Sequence, residues 1–174
     1  MIRAPQLLTF LLISACSNSA ATSEKWKSSY SAAECAALMS EKSIVARCGE
    51  GELVRAMEVI SNDITQCLPF SPPIKLEGIW IEGFELSLLY KEAKTLGDVT
   101  TPDGGFVEPF TWLSMTEGAS RDLTLQPAHD FAAYKIEAVG RQSLCKGQYG
   151  HMGNGSHEVI VTDFLNVIEL PTAE

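Results

Sequence analysis

Three kinds of hydrophobic spacing follow one another along the chain. The first is a continuous apolar run at residues 7–13, behind one cationic side chain, Arg3, and ahead of small residues. That is the three-part layout of a secretory signal, and the run is far shorter than the ~20 residues that span a bilayer. The second has a helical period. Leu53, Val54, Met57, Ile60 and Ile64 recur at spacings of three and four, which predicts an amphipathic helix over residues 50–66 with this face on the core. A shorter helix is predicted over 32–40, where Ser31 caps and Glu34 completes a Ser-x-x-Glu box. Leu68-Pro69-Phe70-Ser71-Pro72-Pro73 then stops helical structure, because proline lacks an N–H donor and fixes φ.

From residue 74 the period changes to two. Ile74, Leu76, Trp80, Phe84, Leu86, Leu88 and Tyr90 all fall on even positions, with Gly78 and Gly83 between them, and predict one bent strand or two strands joined at a kink. Residues 97–109 read as a loop around Pro102-Asp103-Gly104-Gly105, 111–115 as a short strand, and 117–127 is open. Alternation returns over 131–142, and 158–170 is strongly aliphatic. The fold class expected is α+β: two N-terminal helices followed by a small, mostly antiparallel β-barrel. Trp80, Phe84, Ile136, Val161 and Phe164 are expected inside it.

The chain has 174 residues, the size of one ordinary domain, and a formal net charge of -9. Its acidity and its lack of a basic cluster argue against a nucleic-acid partner, which clustered Lys and Arg would hold. Setting Cys16 aside leaves Cys35, Cys48, Cys67 and Cys145, an even number that suits two disulfides in an oxidising compartment. Three connectivities are possible, and a local pair within Cys35, Cys48 and Cys67, with the remaining cysteine tied to Cys145, is favoured. No spacing is CxxC, and His129, His151 and His157 form no short ligand motif with the cysteines. Neither a metal nor a cofactor is expected.

Ile13-Ser14-Ala15-Cys16 resembles the lipobox of bacterial lipoproteins, in which the cysteine is lipidated and becomes the new N-terminus. The alternative is ordinary signal cleavage, for example after Ala21. The lipobox resemblance implies a signal peptide at 1–15, a lipidated flexible tether at 16–30, palmitate on Cys16, and membrane attachment through that lipid. Ser17 in place of Asp implies the outer membrane, facing the periplasm of a Gram-negative bacterium. Further along, Tyr134-Lys135-Ile136-Glu137-Ala138-Val139-Gly140-Arg141, a Gly-rich loop and His157-Glu158-Val159-Ile160-Val161-Thr162-Asp163-Phe164-Leu165 resemble the last two strands of OB-fold barrels. Gly147-Gln148-Tyr149-Gly150-His151-Met152-Gly153 and Trp80-x-x-Gly83-Phe84-Glu85 are similar to small exported bacterial proteins of uncharacterised function. The helical pattern and the cysteines give a helical, disulfide-linked segment at 31–70, and the resemblance, which covers about residues 74–170, implies an OB-like β-barrel domain at 71–174. By resemblance to the OB-fold, residues 144–156 would be one of its ligand-binding loops.

Within and just beyond that loop, Tyr149, His151, Asn154 and His157 are the candidate ligand-binding residues, because glycines there let the backbone approach another surface. The competing reading is a hairpin loop turning at Asn154-Gly155. No phosphate-cradle motif and no Gly-x-Ser-x-Gly elbow is present, and no two carboxylates are singled out by spacing. The expectation is therefore not an enzyme but a cell-envelope lipoprotein whose barrel binds a protein, peptide or glycan partner. The alternatives are a structural or stress-related envelope component, which a bare Leu53-Met57-Ile60-Ile64 stripe would favour, and a periplasmic hydrolase using the His151 loop.

Overall fold

A computed structural model describes residues 29–48, 64–123 and 131–171. The expected signal, Cys16, most of the expected tether and the stripe residues Leu53, Val54, Met57 and Ile60 lie outside the described residues. Helix α1, Ala32–Leu38, starts as its sequence dictates: the Ser31 hydroxyl accepts from Glu34 N, and Ser31 N donates to Glu34 Oε2 at 2.8 Å. Helix α2, Glu41–Cys48, follows after a break, and α3 is the short turn Ile64–Cys67. The Arg47 side chain ties the three together, donating from Nε to Cys67 O (2.7 Å) and from Nη2 to Leu38 O (2.6 Å). Disulfides join Cys48 to Cys67 and Cys35 to Cys145. The favoured pairing is thus the one present, and it fits an oxidising, non-cytoplasmic compartment. No helix of the described residues is long and apolar enough to cross a membrane.

The remainder is a five-stranded sheet: β1 Ile74–Gly83, β2 Leu86–Lys91, β3 Thr111–Met115, β4 Phe131–Gln142 and β5 Glu158–Leu170. Helix α4, Glu117–Asp122, lies between β3 and β4 and is capped by the Thr116 hydroxyl. The strands close into a ring in the order β1-β2-β3-β5-β4, with β4 back on β1. Every pairing is antiparallel except β3 with β5. Gly78 is needed where β1 meets β2, since a Cβ there would sit 2.2 Å from the Tyr90 carbonyl oxygen.

Leu76, Trp80, Leu89, Leu113, Ile136 and Val161 fill the interior. A second cluster lies on the other side of β1 and β2, where Ile79, Ile81, Leu88 and Tyr90 are covered by Leu96, Val99, Phe106 and Phe110 of the β2–β3 connection. In a third, Ile64, Leu68 and Phe70 pack with Tyr149 of the β4–β5 connection and Ile160. Ile64 is accordingly buried. The interior expected from the sequence is present at Trp80, Ile136 and Val161, with Phe164 partly buried against it. Phe84 departs from it: the residue is 85% exposed. Phe84 and Glu85 form the two-residue turn between Gly83 and its partner Leu86, so their side chains leave the sheet.

Candidate functional site

The four candidate residues of the β4–β5 connection have different fates. Tyr149 is buried; its hydroxyl donates to Cys145 O at 3.1 Å and its ring meets Phe70 edge-on. The connection is pinched by paired backbone bonds between Tyr149 and Gly155, enclosing a single 3-10 turn, His151–Gly153, in place of a tight turn at Asn154-Gly155. Gly150 makes this possible: its φ is 73°, and a Cβ would lie 2.0 Å from the Trp112 indole. His151 reaches the β1–β2 turn, with Nε2 3.4 Å from Glu85 Oε2, and Asn154 stays exposed. His157, just before β5, places Nδ1 3.2 Å from Ser143 Oγ. Tyr149 thus serves the core, while His151 and His157 engage different partners.

His157 also borders a groove of about 600 Å³, within the ~300–1,000 Å³ usual for small-ligand sites. β2 and β3 are registered through Leu88–Trp112 and Leu89–Thr111 alone, and the groove lies where they part. Its walls come from three separate stretches: the end of β2 with Tyr90 and Lys91, the β2–β3 connection with Lys94 and Phe110, and Ser156-His157. Burial holds the His157 ring below its ordinary pKa, and Lys146 and Lys91 press it further the same way, so it is neutral at pH 7. Burial, with Glu108 nearby, pushes the Tyr90 hydroxyl up to about 12. Asp98 is held low by the backbone N–H groups of Lys94 and Thr95, both 2.9 Å from Oδ2.

Behind His157 lies a polar cluster that the sequence reading did not single out. Glu158 is 4% exposed; Ser114 Oγ donates to its Oε1 at 2.6 Å, and its backbone N donates to Ser143 Oγ at 3.0 Å. Oε2 is buried with no hydrogen-bond partner among the described residues. Burial pushes this carboxyl up to about 7. The folded state therefore keeps a proton that the unfolded chain gives up near 4.5. Stability from this group is full below pH 4.5 and is lost as pH rises through 7, a change of ~3 kcal/mol from the two pKa values. His157 titrates with the opposite sign, so the measurement is the difference between wild type and Glu158→Gln. Chemical denaturation is expected to show Glu158→Gln gaining roughly 2–3 kcal/mol on wild type between pH 5 and pH 8. A difference that does not move with pH rules this out.

Ser143 and His157 do not form a nucleophilic pair of the usual kind. The serine is buried, and among the described residues no carboxylate accepts from the histidine ring. The sequence signal for Glu158 was available: it is a carboxylate opening a strand whose next residues, Val159, Ile160 and Val161, are all apolar. For the groove there was none, because its walls are far apart in the chain. Compared with protein-family models, with curated proteins and with solved structures, the chain finds no match.

Proposed function

We propose that this chain is a cell-envelope lipoprotein, anchored in the outer membrane through lipid on Cys16, whose OB-like barrel is a non-enzymatic binding module for a protein, peptide or glycan. The observation that carries the reading is the groove between β2 and β3. OB-folds bind ligands on that face, beside the connection from strand 4 to strand 5, and here Ser156-His157 of that connection forms one wall. The ring order β1-β2-β3-β5-β4, its parallel β3–β5 pair and a helix between β3 and β4 support the OB-like assignment. Two disulfides support export.

Two experiments test it. Ala93→Trp places an indole in the groove wall. A partner recovered from envelope extract by the wild-type domain should be lost with this variant, and equal recovery by both excludes the groove. Mass spectrometry of the membrane fraction should find an acylated peptide starting at Cys16, absent in Cys16→Ser. A free N-terminus near residues 20–22 refutes the lipid anchor.

A further inference from the structure

We propose that the groove takes the C-terminal carboxylate of a short peptide, seated at its His157 end, with the last apolar side chain against Pro109 and Phe110. This rests on the reading of the groove as the binding site and adds the ligand chemistry. The argument starts from charge. Although the chain is strongly acidic, the charges that bear on the His157 ring are both cationic, Lys91 and Lys146. The Lys91 ammonium is held at 2.9 Å by the neutral amide oxygen of Gln142, so its charge is positioned without being cancelled. The adjacent acid, Glu158, is buried and hydrogen-bonded to Ser114 rather than turned to the ring.

The other charged residues of the lining, Glu92, Lys94 and Asp98, are not among the charges that act on the ring, and two backbone N–H groups hold the Asp98 carboxylate ionised where it is. The cation of the His157 corner is therefore Lys91, beside the neutral ring. The ring, one of the groove's walls, adds a polar edge there, and its Nδ1 faces Ser143 Oγ. Beside the corner stand Ala93, Pro109 and Phe110, an apolar wall. An anion joined to an apolar group matches this layout. A saccharide matches it less well, because the Tyr90 ring is spent in packing with Ile79 and Ile81 and offers no open face for stacking.

The test is NMR titration of the purified mature protein with N-acetyl-Ala-Ala-Phe, its C-terminal amide, and chitotriose. The free acid is expected to shift the resonances of Lys91, Phe110 and His157 and to bind about tenfold more tightly than the amide, as a charge-assisted contact requires. Lys91→Gln should remove that tenfold preference of acid over amide, and a preference that survives it overturns the inference. Acid and amide binding equally in the groove overturns the carboxylate inference and leaves the groove as a binding site. Chitotriose alone shifting the groove replaces the peptide by a glycan. No shift in the groove with any of the three overturns both this inference and the reading on which it rests.

Discussion

Replacing Trp80 by alanine is expected to destabilise the protein by about 3–5 kcal/mol, while Phe84→Ala changes its stability by no more than ~0.5 kcal/mol. Trp80 is 1% exposed at the centre of the closed sheet. Its ring lies 5.2 Å from that of Tyr134 and is stacked 5.8 Å from Phe164. Its Nε1 donates to Ser87 Oγ at 3.0 Å, and that hydroxyl donates to Leu113 O at 2.6 Å, linking β1, β2 and β3. Truncation removes buried area, leaves a cavity and strands part of this chain of bonds. A domain with ~5–15 kcal/mol of stability loses a large share of it. Phe84 sits in a turn and gives up almost no buried surface. Urea unfolding followed by tryptophan-independent far-UV dichroism compares the two. A larger loss for Phe84→Ala would contradict the interior described above.

The second large effect concerns Cys35–Cys145. Removing this bridge by paired alanine substitutions is expected to cost ~4–5 kcal/mol, and removing Cys48–Cys67 ~3 kcal/mol, because the entropy withheld from the unfolded chain grows with the loop closed. The two loops span 110 and 19 residues. The longer bridge also fastens α1 to the β4–β5 connection and so to the third cluster, where Met39 and Ile44 pack on buried Phe70, Tyr149 and Ile160. Thermal melts of the two double variants decide the matter. Equal losses, or a greater loss at Cys48–Cys67, would mean that the unfolded-state argument does not govern this protein.

Strand identity was legible from alternation at residues 131–142, from the aliphatic run at 158–170 and in the short stretch 111–115, and these are strands β4, β5 and β3. What parity could not convey is what happens at a turn. Even positions point inward along β1, at Leu76 and Trp80, but β1 and β2 pair so that Trp80 faces Leu89, and the inward set becomes odd. Leu88 and Tyr90 consequently join the opposite cluster, beneath the β2–β3 connection that the sequence presents only as a loop. A helix over 32–40 was signalled by its capping box, whereas α2 has only a modest apolar pattern and no comparable cap to announce it. At the candidate site, a Gly-rich stretch drew the eye because glycine marks close approach. It does so here, but the surface approached is the protein's own Trp112. The groove has no local signature, since only pairing in three dimensions brings Lys91, Phe110 and His157 together.

The unequal stitching of the ring gives it a direction in which to yield. β1 is registered with β4 from Ile74–Gly140 to Gly83–Phe131, but β2 meets β3 only at two adjacent pairs. Free energy of local opening follows the density of such bonds, so this seam is the first place for the sheet to part, well before the protein unfolds. A ligand of the kind proposed would span the gap like a clasp. Its occupancy would be written into the breathing of the whole sheet, slowing amide exchange at Leu88, Leu89 and Thr111 while leaving the tightly laced β1–β4 side as it was.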